Sequence, residues 1–391
     1  MTRYRRGLVV GKFCPLHRGH MFLIERALQA CDEVLVISYT KPGFARCATD
    51  TRDGWLAGLF PGVRRLVVDD AWLGAALSCG EITHPVALPH NDAPAAVHRE
   101  FCAWLCRTFG GGPVDAVFTS EEYGDGFAAV LSADFSAWSG RAHRVEHVCV
   151  DLARGAVPVS GTAVRSDPAA WREFLDPLVY ADLVDRVCIL GGESSGKTTL
   201  VEALAAALGT VAVPEVGRTR GEEKGGHFVY ADMRAIAEDQ VALEIALAQH
   251  TPGPLICDGS ALTTVFYSED GYGRVDPLVE RLGRRRYSHT FVCAPDFPFV
   301  QDGTRRDAAF RQRQHDWYLA TLAHRGVDYT ILHGPVHERV RQALLVLRRA
   351  AQPTPCTESH RSPAPVPAKT GAGSGNTRTA PESADTSPAS R

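Results

Sequence analysis

A glycine-rich stretch near the middle of the chain carries residues suited to binding a nucleotide. It reads VCILGGESSGKTTL over residues 187–200, with four residues between Gly191 and the run Gly196-Lys197-Thr198. Glycines at this spacing let backbone N–H groups converge on phosphate oxygens, while Lys197 supplies a charge for the β- and γ-phosphates and Thr198 a hydroxyl ligand for Mg²⁺. A glycine-rich turn that binds nothing is the alternative, but an apolar strand before it and helix-forming residues after it favour a phosphate loop.

Two histidines three positions apart form a second candidate site. His17 and His20 stand in HRGH at the start of a segment with helical spacing, so both side chains can face one site. Gly19 between them lets phosphates approach the backbone, and the N-terminus of a helix favours anions. Two ordinary surface histidines are the alternative interpretation of this motif.

A short polar segment in the first half offers a further anion site. In VPVSGTAVR, residues 157–165, the hydroxyls of Ser160 and Thr162 fall at a predicted helix start and Arg165 lies one turn along. Alone, this segment is only a good N-cap. Together with the HRGH motif it predicts two anion-binding helix starts in one half of the chain.

The second half adds a carboxylate and a basic cluster. Asp258 directly follows the apolar run at residues 254–257, which places it beside the phosphate loop. There it could bind Mg²⁺ or take the proton of an attacking hydroxyl, or it could simply cap the next helix. The arginines further along would form either a lid over a triphosphate or a solvated helix face; they are Arg305, Arg306, Arg311 and Arg313.

The residues around these motifs follow the pattern of a doubly wound α/β fold. Short apolar runs of strand length lie immediately before both the HRGH segment and the phosphate loop, at residues 7–10 and 187–190. In such a fold the ligands lie beyond the carboxyl ends of parallel strands. Further strands are predicted at residues 34–38, 65–68, 116–119, 147–150, 210–213, 254–257 and 289–294, and a long helix at 233–250.

Composition bounds the class of protein. A chain of 391 residues with 45% hydrophobic residues is long enough for two ordinary domains, and its net charge of −3 gives no reason to expect a nucleic-acid or membrane partner. Its 11 cysteines include no C-x-x-C pair, so neither a disulfide framework nor a zinc site is predicted. With no apolar run of membrane-spanning length and no signal-peptide pattern, the expected location is the cytoplasm.

The first half resembles a known family. HRGH and SGTAVR resemble the H-x-G-H and I-S-x-T-x-x-R motifs of the nucleotidylyltransferase superfamily, and the closer resemblance is to the nicotinamide-nucleotide adenylyltransferase domain of NadR-type proteins. It is carried by GKFCPLHRGH, TRDGWL (51–56), FTSEEYGDGFA (118–128) and VDLARGAVPVSGTAVRSDP (150–168). The resemblance implies AMP transfer from ATP to nicotinamide mononucleotide, with His17 and His20 as the catalytic contacts to the ATP phosphates. The other ATP- and phosphate-binding residues that it implies are Gly11, Lys12, Phe13, Gly19, Ser160, Gly161, Thr162 and Arg165.

The second half, residues 186–347, resembles the ribosylnicotinamide kinase domain of NadR-type proteins. The matching residues are GGESSGKTTL, the Pro214-Glu215 segment, the strand before Asp258 and DGTR at 302–305. The resemblance implies transfer of the ATP γ-phosphate to nicotinamide riboside, with Asp258 as first and Glu215 as second choice for the catalytic base and with Thr198 and Asp258 at Mg²⁺. The ATP-binding residues are then Gly191, Gly192, Glu193, Ser194, Ser195, Gly196, Lys197, Thr198, Thr199 and Arg305.

The expected organisation is α/β, with two doubly wound parallel-sheet domains. Residues 1–180 would form a nucleotidylyltransferase-type Rossmann-like domain and residues 186–351 a P-loop kinase domain. Residues 352–391 are rich in Pro, Ser, Thr and Ala and should be disordered. Because the first strand begins at residue 7, no DNA-binding helix-turn-helix is expected ahead of it. The assembly state is left open, with a homo-oligomer among the alternatives.

The sequence leaves three functional hypotheses open. The leading one is a bifunctional NAD salvage enzyme that uses ATP and Mg²⁺ and acts on nicotinamide riboside and nicotinamide mononucleotide. The second keeps a nucleotidylyltransferase fused to a small-molecule kinase but changes the substrate. The third is a P-loop protein that senses nucleotide state and signals to a partner. Fold alone does not decide the substrate.

Overall fold

Two five-stranded, all-parallel sheets organise the residues described by the computed structural model, which are 4–153, 155–299 and 306–351. The strand order is β3-β2-β1-β4-β5 in the first sheet and β10-β9-β6-β8-β7 in the second. Two doubly wound α/β folds, as predicted, are therefore confirmed. The strands are β1 Tyr4–Gly11, β2 Cys31–Tyr39, β3 Arg64–Val68, β4 Ala116–Thr119, β5 Glu146–Cys149, β6 Arg186–Leu190, β7 Ala212–Val213, β8 Leu255–Asp258, β9 His289–Cys293 and β10 Thr330–Leu332.

Helices connect successive strands and cover the faces of the first sheet. Its central strand, β1, pairs with β2 on one side and β4 on the other, so the strand order reverses between β1 and β4. That reversal opens a crevice at the carboxyl ends of these two strands. The helices of this half are α1 Arg18–Ala30, α2 Thr49–Leu59, α3 Asp70–Ser78, α4 Ala95–Thr108, α5 Gly124–Ser139, α6 Gly161–Ser166 and α7 Pro177–Leu183.

The second sheet is centred on β6, whose five residues are all buried. It pairs with β8 and β9, so the segments that follow these three strands share one edge of the sheet. β7 lies at the edge beyond β8 and is only two residues long, shorter than the predicted strand at 210–213, and β10 was not predicted at all. The helices are α8 Lys197–Leu208, α9 Val216–Glu223, α10 Tyr230–Ala248, α11 Ala261–Tyr272, α12 Pro277–Leu282, α13 Ala308–His324 and α14 Val336–Ala351.

A continuous apolar cluster joins the two halves. It includes Val9 and Val36 of the first sheet and Leu255 and Cys257 of the second. α7 lies between them, where the Tyr180 hydroxyl donates to the Thr251 carbonyl at 3.0 Å. Buried apolar side chains on both sides of this helix hold the two sheets together, because exposing them would cost about 25 cal/mol per Å². The boundary between residues 180 and 186 stays a prediction.

Two sequence expectations concern membranes and the C-terminal tail. Within the described ranges, no helix combines the length and apolarity needed to cross a membrane. Residues 352–391, predicted to be disordered, lie outside the described residues.

Candidate active sites

A cavity of about 720 Å³ lies at the carboxyl ends of β1, β2 and β4. It sits where the strand order reverses, which is the place where open α/β sheets bind ligands. Residues from the start of the chain and from α6, far apart in sequence, meet there. The ten residues predicted for this site all line it: Gly11, Lys12, Phe13, His17, Gly19, His20, Ser160, Gly161, Thr162 and Arg165.

The two histidines form a stacked pair at the start of α1. Their ring centroids are 3.7 Å apart with an interplanar angle of 15°, and His17 is only 5% exposed. Backbone N–H groups point at both Nδ1 atoms, His20 N–H at His17 (3.4 Å) and His17 N–H at His20 (3.5 Å). A backbone N–H donated to Nδ1 leaves Nε2 to carry the proton whenever the ring is neutral, and that N–H is a donor suited to a phosphate oxygen. The alternative of two surface histidines is wrong for His17.

Ser160 and Arg165 fix α6 against the loop that follows β1. The Ser160 hydroxyl accepts the Ala163 N–H at 3.2 Å, so the predicted N-cap is confirmed. Arg165 donates to Thr162 Oγ1 at 3.0 Å and to the carbonyl of Cys14, and its guanidinium lies 4.2 Å above the Phe44 ring. These contacts hold a positive charge at the cavity wall, where an anionic ligand would meet it.

The backbone of Lys12 is held from behind by groups that sequence reasoning missed. Its carbonyl accepts bonds from Cys14 Sγ at 3.1 Å and Ser38 Oγ at 3.2 Å, with an Arg52 N–H group 3.4 Å away. Arg52 is 2% exposed and also donates to the Cys47 carbonyl at 3.1 Å. Burial lowers the pKa of Arg52. This residue lies in the TRDGWL stretch, which carried the family resemblance but no assigned role.

The lining of the cavity also includes an aromatic pair that sequence reasoning missed. The Tyr39 hydroxyl and His98 Nδ1 are 2.8 Å apart, and their rings lie face to face at 5.7 Å. Burial raises the pKa of Tyr39, whereas burial and the charge of Lys12 lower the pKa of His98. Both groups are therefore neutral near pH 7. No sequence signal links a strand end to a helix 59 residues later.

The phosphate loop lies between β6 and α8, as its spacing predicted. Gly196, the residue before α8, has a φ of 79°, and a Cβ atom there would lie 3.0 Å from the Phe297 ring. Glycine is required at this position for both reasons. Lys197 is 9% exposed and donates to the Gly192 carbonyl at 3.2 Å, so its ammonium lies over its own loop. Thr199 is exposed on α8.

Glu193 ties the phosphate loop to two helices. Its N–H donates to Gln314 Oε1 at 2.8 Å, and its carboxylate accepts the Tyr267 hydroxyl and the Arg306 N–H, each at 2.9 Å. Since Gln314 and Tyr267 lie on α13 and α11, both helices brace the loop. Gln314 and Tyr267 were not anticipated from the sequence.

Thr198 and Asp258 come together at the ends of α8 and β8. Thr198 Oγ1 donates to Asp258 Oδ2 at 2.6 Å, while Asp258 is 2% exposed and its Oδ1 has no hydrogen-bond partner among the described residues. The alternative that Asp258 caps the next helix is wrong, since Ser260 is the N-cap of α11 and accepts the Leu262 N–H at 3.2 Å. A buried carboxylate oxygen without a partner beside a hydroxyl is the donor set that a hard divalent cation prefers.

Glu215 follows β7 and lies near the same centre. Burial raises the pKa of its carboxyl group; the charge of Lys197 opposes this rise and that of Asp258 adds to it. The charges of Asp258 and of the loop lysine therefore both act on the Glu215 carboxyl group. This proximity depends on the β7-β8-β6 order of the sheet.

The arginines of the predicted basic cluster lie in different environments, two beside a carboxylate and one buried. Arg306 and Arg313 both approach Asp270, at 2.5 and 4.0 Å. Arg311 is 8% exposed and donates to the Phe297 carbonyl at 2.9 Å, so a plain solvated helix face does not describe it. Arg305 and the DGTR stretch lie outside the described residues.

Comparison with known proteins places these features in a family. The trifunctional NAD biosynthesis/regulator protein NadR of Escherichia coli (strain K12) is 30% identical over 315 residues, which cover 76% of this chain and 71% of that protein. A family profile described as an AAA domain matches residues 186–339.

Two solved structures share the fold. A crystal structure of NadR protein in complex with NR has a TM-score of 0.61 and 18% identity, covering 89% of this chain and 96% of that one. A second, of NadR protein in complex with NAD and AMP-PNP, has a TM-score of 0.60 and 18% identity, covering 90% and 97%.

Fold and site together define a two-sheet α/β protein that combines a phosphate-loop half with a nucleotidylyltransferase-like half. The sequence comparison is more specific. The chain belongs to the NadR family.

Proposed function

We propose that this chain is a bifunctional NAD salvage enzyme. The half built on the second sheet would phosphorylate nicotinamide riboside with ATP, and the half built on the first would adenylylate the resulting nicotinamide mononucleotide to NAD. The observation that carries the proposal is that one chain of this family holds two separate sets of residues suited to binding phosphate, each at the carboxyl ends of its own sheet. Family members crystallised with NR and with NAD and AMP-PNP support this choice of substrates.

For the kinase step, the contacts favour different roles for the two carboxylates. The 5′-hydroxyl of the riboside attacks the γ-phosphorus of ATP, its proton passes to a carboxylate, and the bond to ADP breaks. Asp258, the first choice from the sequence, is already held by Thr198 and has one oxygen without a partner in the described part of the chain. Glu215, whose pKa burial raises, is the better base, because a base with a pKa closer to neutral accepts a proton more readily.

The residues around Asp258 fit a magnesium ion. The Thr198 hydroxyl and the unpartnered Asp258 Oδ1 offer hard oxygen ligands, and the remaining ligands would come from water and the substrate phosphates. When bound, Mg²⁺ neutralises the charge of the β- and γ-phosphates. Lys197 and the N–H groups of the loop hold the same phosphates in place.

For the adenylyl step, no general base is required. The phosphate of nicotinamide mononucleotide is already an anion; its oxygen attacks the α-phosphorus of ATP, and the bond to pyrophosphate breaks. Catalysis then rests on positioning and charge stabilisation. His17, His20, Lys12 and Arg165 supply N–H donors and positive charge along one cavity wall. Removing one such donor typically costs about 10²–10³ in rate.

One incubation tests both halves of the proposal. The protein is mixed with ATP, Mg²⁺ and nicotinamide riboside, and the products are followed by mass. NAD as product supports both steps, nicotinamide mononucleotide alone supports only the kinase, and turnover of neither riboside nor mononucleotide overturns the assignment. Lys197→Met should stop riboside phosphorylation and leave NAD formation from the mononucleotide; NAD from riboside in this variant would place the kinase site elsewhere. These substrates fit the cytoplasmic location expected from the sequence.

A further inference from the structure

A fully buried arginine lies beneath the phosphate loop. Arg339, in the first turns of α14, has no exposed surface. Burying a guanidinium is costly unless its N–H groups find hydrogen-bond acceptors. Three separate loops of the chain supply acceptors for Arg339.

The acceptors are carbonyls and one carboxylate. Arg339 donates to the carbonyls of Ser195 at 2.7 Å, Ala294 at 2.8 Å and Gly334 at 2.8 Å. It also donates to Asp296 Oδ1 at 2.5 Å. Ser195 belongs to the phosphate loop, while the other three follow β9 and β10. One side chain thus ties the loop to the carboxyl ends of two neighbouring strands.

The same guanidinium also supports the loop through an aromatic ring. It lies 4.5 Å from the centroid of Phe297, and this ring is the group that a Cβ atom on Gly196 would meet at 3.0 Å. Arg339 therefore contacts Ser195 directly, and it also packs against Phe297, whose ring lies next to Gly196. Ser195 and Gly196 are the two residues immediately before Lys197.

We propose that Arg339 is a positioning residue that presets the phosphate loop for ATP. In a trans peptide the carbonyl and the next N–H point in opposite directions. Holding the Ser195 carbonyl toward Arg339 turns the Gly196 N–H to the other side of the peptide, which in a phosphate loop is the side of the anion. The proposal rests on the proposed kinase site and adds a residue from the last described helix, about 140 positions after the loop.

The test compares Arg339→Met and Arg339→Lys with Arg341→Met, a matched change at an exposed arginine of the same helix. In the Met variant we expect AMP-PNP binding at the phosphate loop to weaken about 10- to 100-fold, because charged hydrogen bonds to the loop are lost. Lysine keeps the charge but not the fork of N–H donors, so it should restore only part of the affinity. Arg341→Met should bind like the unmodified chain.

Two measurements distinguish a positioning role of Arg339 from a role in folding, and they do so independently of the proposed substrate. They are the rate of adenylyl transfer and the affinity for AMP-PNP. Adenylyl transfer to nicotinamide mononucleotide should keep its rate in every variant; if it falls in parallel with loop binding, Arg339 merely supports the fold and the proposal is overturned. The AMP-PNP binding that belongs to the phosphate loop is defined as the binding that disappears in Lys197→Met. If this binding has the same affinity in Arg339→Met as in the unmodified chain, the proposal is also overturned. Because AMP-PNP binding needs no riboside, this test stands even if riboside is not the substrate.

Discussion

Thr198 and Asp258 are joined by a hydrogen bond of 2.6 Å that connects the first turn of α8 to the last residue of β8. The two residues are 60 positions apart in sequence, and β6 and β8 are neighbours in the sheet. This bond holds the Thr198 hydroxyl and the Asp258 carboxylate close enough together for both to bind one cation. The bond therefore marks the predicted metal end of the kinase site.

Loss of the Asp258 charge should stop the kinase without harming the other half. We expect Asp258→Asn to lower riboside phosphorylation by about 10²–10³-fold, because the buried oxygen that would face Mg²⁺ loses its charge. Thr198→Ser, which keeps the hydroxyl, should retain most activity, whereas Thr198→Ala should not. Measuring phosphoryl transfer across a Mg²⁺ titration checks this. Full activity of Asp258→Asn at ordinary Mg²⁺ would contradict the metal role.

Glu215 should control the acid side of the kinase pH profile. Its pKa is raised by burial, so riboside phosphorylation should fall as pH drops through a value above the ordinary glutamate pKa of about 4.3. Glu215→Gln should lack this inflection and be slower by about 10²-fold or more. Rates from pH 4.5 to 8 in both proteins provide the measurement. An unchanged profile in Glu215→Gln would return the base role to Asp258.

Glu215→Gln should slow phosphoryl transfer but increase the thermal stability of the protein. A carboxyl group with a folded-state pKa above its unfolded value costs stability once it ionises, and this cost grows as pH rises from the unfolded pKa through the folded pKa. Glu215→Gln is therefore expected to raise Tm slightly at pH 7 while it slows phosphoryl transfer. Calorimetry at pH 4 and pH 7 checks the sign. A lower Tm at pH 7 would show that the ionised carboxylate stabilises the fold.

The stacked histidines should be needed for adenylyl transfer alone. We expect His20→Ala to reduce NAD formation from nicotinamide mononucleotide by about 10²–10³-fold, since it removes an N–H donor from the cavity wall. Riboside phosphorylation in the same protein serves as the internal control, because its proposed site lies on the other sheet. Equal loss of both reactions would overturn the model of two independent sites.

Arg52 should influence adenylyl transfer by holding the backbone of Lys12. It contacts the carbonyls of Lys12 and Cys47 from a buried position, so Arg52→Met should lower the rate by about tenfold or more with phosphoryl transfer unchanged. A suitable control is Arg65→Met, which removes an arginine bound to Asp53 on the same helix as Arg52. Comparable rate losses in both variants would indicate a general effect on the domain.

Sequence alone determined the class of fold and the positions of the three candidate phosphate-binding segments, which are HRGH, SGTAVR and the phosphate loop. Buried parallel strands need continuous apolar residues, and phosphate loops need glycine, lysine and threonine at set intervals. Both features can therefore be recognised within residues 187–200 without knowledge of the rest of the chain. The strand predicted at 116–119 coincides with β4 for the same reason. β10 escaped prediction, since three residues are too few to show a pattern.

Tertiary structure decided which of the candidate residues act together. The contact of Thr198 with Asp258, the raised pKa of Glu215 and the pairing of Tyr39 with His98 all depend on strand order and helix packing, which residue spacing does not encode. Arg52 and Arg339 show the same limit. An arginine with a buried guanidinium looks in sequence like any other arginine, and only the carbonyls that converge on it from distant loops reveal what it holds.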